Sequence, residues 1–410
     1  VKEAGSVASD SPGLHAAGLQ RYVSVYSFVF EIQFILRQGN AMKLEAFKLE
    51  RYFARYEFTA PYLLCTSDCE SMTLDELLAL EPGARERFGD LWLGYTESLG
   101  DPALREAIAS LYTNIDSDQV LVHSGAEEAI FNFMNVALSP GDHIIVHAPY
   151  YQSLGTVAQG IGARVTLWQG DPDNGWALDL ETLEGLVTPQ TRVVVLNVPH
   201  NPTGYLPTEK FLRELSRMSD AHGFVVFSDE VYRGLELDPA DRLPAFADID
   251  ARGISLGVMS KTYGLAGLRI GWIATRNREI FEEMAAFKDY TSICSSAPSE
   301  FLSTLALRHA TSIGERNLGI IRHNLDLLDD FFAEHRELFA WSRPRAGSIA
   351  FPELLQGNID VLCADLVEKA GVLLVPGTMY GEGYNHFRVG FGRRNFSEGL
   401  ERFHDYLVGK

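Results

Sequence analysis

The sequence predicts an α/β protein with a large domain, a mainly parallel seven-stranded sheet between helices, and a smaller α+β domain. Three observations carry that expectation. The chain has 410 residues, more than one small core organises. From about Asp118 onward, short β-branched runs alternate with amphipathic stretches, as βαβ units do. Beyond Arg322 the alternation gives way to a long amphipathic stretch followed by short apolar runs.

Taken in order, residues 1–41 look unlike the rest and read as an N-terminal extension. Within them, Tyr22 to Leu36 is apolar and aromatic, but at fifteen residues, with Glu31 and Gln33 inside it, it is too short and too polar to span a bilayer. As a signal peptide it has a weak basic flank and no clear small-residue cleavage site, which makes a targeting segment the lesser alternative. Met42 opens Lys-Leu-Glu-Ala-Phe-Lys-Leu-Glu-Arg-Tyr-Phe, with apolar residues at helical spacing, and is the expected start of translation. Residues 42–91 precede the βαβ alternation and are expected to pack with the small domain. Residues 92–321 form the expected large domain and 322–410 the small one.

The runs read as strands are Gln119–Val122, His143–His147, Arg164–Leu167, Arg192–Asn197, Phe224–Ser228, Ile254–Val258 and Ile270–Ala274. Glu127–Leu138 and Glu209–His222 read as helices between them, and Ser348–Phe351 and Phe387–Phe391 as short strands of the second domain. Gly141-Asp142, Asn201-Pro202-Thr203-Gly204 and Gly264 punctuate the pattern.

Composition removes several classes of function. With 35 basic and 55 acidic side chains the formal charge is −20, which repels phosphate backbones, so no nucleic-acid partner is expected. Cys65, Cys69, Cys294 and Cys363 are too few and scattered for a disulfide framework, and the Cys65/Cys69 spacing lacks the second pair of a zinc site. No metal and no membrane association are expected, and a reducing cytoplasm is the simplest compartment.

In open α/β sheets, ligands sit beyond the carboxyl ends of the strands, and polar residues collect at those ends here. The first strand runs into His123-Ser124-Gly125-Ala126-Glu127-Glu128, whose small residues expose N–H groups at a helix start, a setting that suits a phosphate. Later strands deliver Tyr150 and Tyr151, then Asn201-Pro202-Thr203-Gly204, then Asp229-Glu230-Val231-Tyr232, then Ser260-Lys261. One cavity would thereby hold an amine, a carboxylate, a phenol, an amide, an aromatic plate and an anion cradle. A desolvated lysine has a lowered pKa and forms an imine with an aldehyde, and a carboxylate on a pyridine nitrogen keeps that ring an electron sink. Singly, these residues have plainer readings. Lys261 would be a solvated surface lysine, Asp229 a helix N-cap and the two tyrosines core aromatics.

Together they resemble the class I/II aminotransferases among the fold-type-I pyridoxal-phosphate enzymes. The resemblance rests on Gly94-Tyr95-Thr96…Gly100…Leu104-Arg105, His123-Ser124-Gly125-Ala126-Glu127-Glu128-Ala129, Asn201-Pro202-Thr203-Gly204, Asp229-Glu230-Val231-Tyr232, Ser260-Lys261…Gly267-Leu268-Arg269…Gly271 and Phe387-Arg388-Val389-Gly390-Phe391. These runs stand in the family's order from about Met42 to the C-terminus. The resemblance implies pyridoxal 5'-phosphate held as a Schiff base on Lys261, which then shuttles a proton. It implies Asp229 on the pyridine nitrogen, with Asn201 and Tyr232 on the phenolic oxygen. Tyr151 would be the plate over the ring, with Tyr150 second. Arg269, Ser260, Gly125 and Ala126 would hold the phosphate, Tyr95 would reach the phosphate of a neighbouring subunit in a homodimer, and Arg388, with Asn201, would clamp the substrate carboxylate. The implied reaction is transamination between an L-amino acid and a 2-oxo acid in two ping-pong halves. Asn197, His200 and Tyr263 read as packing or supporting residues.

Two features depart from the family pattern. Val258 stands where a phosphate-binding Ser or Thr is usual, leaving Ser260 or Ser124 to compensate. Leu64-Cys65-Thr66-Ser67-Asp68-Cys69-Glu70-Ser71 replaces a Gly-x-Pro-like turn beside the substrate. These departures, with the character of residues 51–77, give a looser similarity to capreomycidine synthase. The second expectation is therefore elimination, replacement or cyclisation of an amino acid with the same cofactor. Asp68 and Glu70 would then meet a basic side chain, although solvated loop charges are the plainer reading. A regulator that merely binds ligand on this fold would need an appended DNA-binding domain, for which the N-terminal extension is too short and insufficiently basic.

Overall fold

The computed structural model describes residues 42–409, so the expected start at Met42 and everything read in residues 1–41 lie outside or at the edge of what it describes. The seven expected strands all form, with limits shifted by at most two residues. They are β1 (Val120–His123), β2 (His143–Ala148), β3 (Arg164–Gln169), β4 (Thr191–Asn197), β5 (Val225–Asp229), β6 (Ile254–Val258) and β7 (Gly271–Thr275). They make one sheet in the order β1-β7-β6-β5-β4-β2-β3. β7 runs antiparallel to both its neighbours, and the remaining pairings are parallel.

Helices cover both faces, which explains why β1, β2, β6 and β7 are buried at every position rather than alternately. One apolar cluster joins Val120, Val122 and Trp272 of the sheet to Leu104, Ile108 and Leu305. Another joins Ile145, Val194, Leu196 and Val226 to Leu212 and Leu215 of the helix Glu209–His222. That helix has the limits expected from sequence. Thr208 caps its first turn by accepting from the Phe211 N–H, and left-handed Gly223 ends it.

One short helix and a small sheet complete the site. The helix α1 (Lys48–Tyr56) begins six residues beyond Met42. Ile349–Ala350 (β8), Val375–Pro376 (β9) and Phe387–Gly390 (β10) form an antiparallel sheet with β10 in the middle. The long helix expected beyond Arg322 runs from Ala310 to Glu334, so the boundary read at 321/322 falls inside a continuous helix. Its apolar period never breaks there; Ile313, Ile321, Leu325 and Leu328 are all buried.

The segment 42–91 divides its contacts. Tyr62–Leu63 pairs in parallel with Val372–Leu373, and the Gly390 N–H donates to the Leu64 carbonyl at 2.8 Å. Leu77, Leu78 and Ala84, by contrast, join the Val120–Trp272 cluster of the large sheet. The first part of the segment thus lies along the C-terminal strands and the later part against the large sheet. Apolar residues from Leu77 onward find a larger buried surface against the big sheet. No helix among the described residues is long and apolar enough to cross a membrane.

A Cβ built on Gly390 would stand 1.7 Å from the Thr66 carbonyl oxygen, so strand and segment approach as only glycine allows. Gly390→Ala is expected to destabilise the protein by about 3 kcal/mol, since backbone must move on one side or the other. A thermal melt followed by circular dichroism should show a midpoint lowered by several degrees; an unchanged midpoint would contradict this packing.

Candidate active site

The carboxyl ends of β1, β4, β5 and β6 open onto one cavity of about 430 Å³. Lys261, Asp229, Tyr232, Asn201, Ser260, Ala126, Tyr151, Arg269 and Arg388 all line it. Gly125 adjoins Arg269 at its edge. The parallel register explains part of this convergence. Asn197 ends β4 directly opposite Asp229 at the end of β5, and Asp229 lies opposite Leu256 of β6. The Asn197 side chain then ties both strand ends together, with its Nδ2 donating to the Asp229 carbonyl at 2.9 Å and its Oδ1 accepting the Asn201 N–H at 2.7 Å. Asn197, read from sequence as a packing or supporting residue, thus bonds to both strand ends. His200 is buried, stacked on His147 at 3.6 Å and bonded to Thr203, outside the cavity lining.

Lys261 Nζ donates to Ser67 Oγ at 2.8 Å. Burial lowers the lysine's pKa, with Asp68 and Asp229 pulling the other way. Asp229 is 5 % exposed and receives the Val231 N–H at 3.3 Å, yet desolvation pushes its carboxyl up to about 7. The Tyr232 hydroxyl is buried without a hydrogen-bond partner of good geometry, and desolvation raises its pKa as well. A buried carboxyl held half-neutral and an unsatisfied phenol both call for polar groups from a ligand.

The anion end is built from backbone. Gly125, at φ +93°, starts the helix α2 (Ala126–Ala137) with no side chain capping its free N–H groups. A Cβ there would lie 2.5 Å from Arg269 Nη2, so the missing side chain lets the guanidinium reach the helix start. Arg269 itself adopts a left-handed φ of 53°, a strained conformation for a non-glycine residue. Val258 lines the same end without a donor and Ser260 beside it has one, whereas Ser124 is absent from the lining. Glu127, in the first turn of α2, is raised to about 7 by desolvation.

At the other end Arg388 is 1 % exposed. Its Nε and Nη2 donate to the Cys65 carbonyl at 3.1 and 2.8 Å, its Nη1 donates to the Tyr380 hydroxyl at 2.7 Å, and its plane faces the Phe53 ring. Tyr151 stands half-buried in the wall against Phe47, while Tyr150 packs on the helix at Gly155 instead. Tyr95 is 85 % exposed and lines a separate cavity with Trp92 and Glu300, so within one chain it does not join Lys261.

Sequence reasoning missed Ser67, Thr66, Tyr380, Glu50 and Glu57. Ser67 and Thr66 sat inside the segment noted as atypical, but nothing in its residue types marks which one meets the lysine. The loop charges divide. Asp68 lines the cavity and accepts from Arg393 at 2.8 Å, whereas Glu70 receives the Arg394 N–H at 2.9 Å and lies outside the lining. Neither is merely solvated, because both oxygens satisfy donors that the fold brings beside them.

The donor set fits pyridoxal phosphate. A protonated ring nitrogen would let Asp229 ionise, the phenolic oxygen would meet Tyr232, and the Gly125–Arg269 cradle has room for a phosphate. This fold and this site define a fold-type-I pyridoxal-phosphate enzyme. The family described as aminotransferase class I and II matches residues 62–403, and the chain belongs to that family. It is 31 % identical to capreomycidine synthase of Streptomyces vinaceus over 370 residues, which are 89 % of this chain and 94 % of that one. Its fold is similar to a PLP-dependent aminotransferase from Streptococcus suis 89-1591, with a TM-score of 0.84 and 34 % identity, over 90 % of this chain and 99 % of that one. It is also similar to the PLP-dependent cyclase OrfR, with a TM-score of 0.81 and 29 % identity, again over 90 % and 99 % of the two chains.

The Asp229 shift has a testable sign. A carboxyl whose folded pKa is about 7 against an ordinary 3.8 is forced to ionise less in the folded state, so it costs stability progressively as pH rises from 3.8 to 7. In cofactor-free protein, Asp229→Asn is therefore expected to raise the thermal midpoint at pH 8 and to lose that advantage near pH 4. An equal effect at both pH values would show that the carboxyl is not desolvated.

Proposed function

We propose that the protein is a pyridoxal-phosphate-dependent aminotransferase that moves an amino group between an L-amino acid and a 2-oxo acid. The observation that carries this reading is a desolvated lysine amine and a buried arginine fork facing the same cavity. The bound cofactor supplies an aldehyde that condenses with amines and a pyridinium ring that withdraws electrons.

The chain's own residues supply the rest. Lys261 anchors the cofactor, and its lowered pKa favours the neutral amine that takes the α-proton from one face of the substrate and returns it. Asp229 would keep the ring nitrogen protonated, and Asn201 and Tyr232 would donate to the phenolic oxygen. Gly125 and Ala126 N–H groups, Arg269 and Ser260 would hold the phosphate, and Tyr151 would back the ring. Arg388 takes the substrate carboxylate with a planar fork already held in place by Cys65, which orients the α-carbon over Lys261. Trp92, Leu93 and Tyr95 are 79, 76 and 85 % exposed, and this apolar surface supports a homodimer in which Tyr95 serves a second copy's phosphate.

A second reading keeps the cofactor and changes the outcome to elimination, replacement or cyclisation. The likeness to capreomycidine synthase and to OrfR supports it, and so does the wall beyond Arg388. Glu50, Glu57 and Asp68 all line it, and burial together with Glu50 and Asp68 raises the Glu57 pKa. Such a wall favours a substrate with a cationic side chain and disfavours a second carboxylate.

The purified protein mixed with a panel of amino acids separates these readings. Loss of the Lys261-bound absorbance with gain of aminated cofactor and a 2-oxo acid is the outcome expected for transamination. Ammonia or a ring-closed product without aminated cofactor would favour the second reading. Lys261→Ala should lower either activity at least about 10²–10⁴-fold; a colourless protein indifferent to that change would refute both. Arginine, lysine and ornithine should show lower KM than aspartate, and Glu57→Gln should narrow the gap through KM rather than kcat.

A further inference from the structure

The helix Ala310–Glu334 and the helix Phe396–Val408 meet at a pair of histidines, neither of which lines the cavity of Lys261. His335 follows the first helix directly and His404 lies within the second. His335 Nε2 and His404 Nδ1 stand 3.1 Å apart. Glu334 Oε2 is 3.8 Å from His404 Nδ1, and one ligand atom from each of the three residues lies within 4.8 Å of the others. Packing beneath the rings sets this arrangement. His335 lies on Phe331 with ring centroids 4.7 Å apart, and its N–H donates to the Phe331 carbonyl at 3.1 Å. Phe331 in turn meets Phe403, the residue before His404, at 5.1 Å.

The plain reading of the pair is one N–H···N bond between neutral imidazoles. It accounts for the two nitrogens and leaves the carboxylate unexplained, since 3.8 Å is beyond hydrogen-bond reach. A shared cation accounts for all three. Zinc bonds imidazole nitrogen at about 2.0–2.1 Å, so two such ligands at a tetrahedral angle stand about 3.3 Å apart, close to the observed pair. Turning the exposed Glu334 side chain closes the remaining gap of about 0.5 Å to that ligand spacing.

We propose that Glu334, His335 and His404 form a zinc site that clamps the helix Phe396–Val408 to the end of the helix Ala310–Glu334. Two imidazoles select a first-row transition metal over calcium or magnesium, which take oxygen ligands. Each ring keeps its proton on the nitrogen turned away from the metal, and water completes the tetrahedron. The role is structural. Phe403 of the clamped helix packs on Phe387 of β10, the strand that carries Arg388, so the ion stiffens the support of that strand from behind. The site is independent of the reaction proposed above. No local spacing marks it, because the two histidines are 69 residues apart and no cysteine takes part.

The test is a titration of holoenzyme, first dialysed against EDTA and then metal-free buffer, with zinc chloride by calorimetry and with cobalt(II) in the visible range. One zinc per chain should bind, and the thermal midpoint should rise by several degrees. Cobalt should give the strong visible bands of a four-coordinate site. His404→Ala, at a half-buried position, should keep the midpoint measured in EDTA and lose the zinc-dependent rise. Glu334→Gln should bind zinc at least about tenfold more weakly, a cost that even an outer partner of a metal ligand carries. Absence of saturable zinc binding in wild type overturns the site, and so do binding and a midpoint rise that survive His404→Ala. Where His404→Ala lowers the midpoint in EDTA, Glu334→Gln decides instead, and an unchanged zinc affinity overturns the site. Zinc whose sole effect is on the Lys261-bound absorbance has gone to the cofactor, which overturns it too.

Discussion

The structure depends on keeping a fully buried guanidinium satisfied. Arg388 sits in the middle strand of a three-stranded sheet with almost no access to solvent, and an unpaired buried cation costs several kcal/mol. Its partners come from far along the chain. The Cys65 carbonyl, 323 residues earlier, takes two of its donors and Tyr380 takes a third. The stretch from Tyr62 to Ser67 must therefore lie along β10, and the bare backbone of Gly390 lets it come close enough. The same stretch carries Ser67 to Lys261, so one requirement, donors for a buried charge, joins the N-terminal segment to both sheets at the site.

Charge balance inside the cavity follows from that arrangement. Lys261, Arg269 and Arg388 line the same cavity as Asp229, Glu127, Asp68, Glu50 and Glu57. Burial pushes Asp229 and Glu127 up to about 7 and lowers Lys261, so the groups meant to receive a ligand are those whose ionisation is least settled without one. Such poise suits a site in which protons change hands. The acidic wall is neutralised only in part from within, since Asp68 finds Arg393 while Glu50 and Glu57 form no ion pair among the described residues. That leaves the wall to be balanced by what binds.

Glycine does comparable work at the phosphate end. Gly125 and Gly271 face each other where β1 meets β7, and a Cβ on Gly271 would stand 2.7 Å from the Gly125 carbonyl carbon. The close approach brings the helix start down to Arg269. Val258 contributes shape without a donor, so the cradle relies on backbone N–H groups and a strained arginine more than on side-chain hydroxyls.

The seven strands and the residues at their carboxyl ends were legible in the sequence because they are local. Burial on both faces writes apolar runs into β1, β2, β6 and β7, and Gly125, Asn201, Asp229, Tyr232 and Lys261 each fall within a few residues of the end of a strand. Arg388 was legible for the same reason, sitting in an alternating apolar strand. Ser67, Tyr380, Glu50 and Glu57 were not, because their importance lies in contacts across hundreds of residues that no local period encodes. Nor does any single-chain pattern decide which end of the segment 42–91 follows the small sheet and which the large one, since both ends carry apolar residues that either sheet could bury. The sequence by itself determined which residues would stand at the ends of a parallel sheet and hence the cofactor they suit. Only the tertiary structure decided what surrounds the substrate, because that depends on where a buried arginine finds its acceptors.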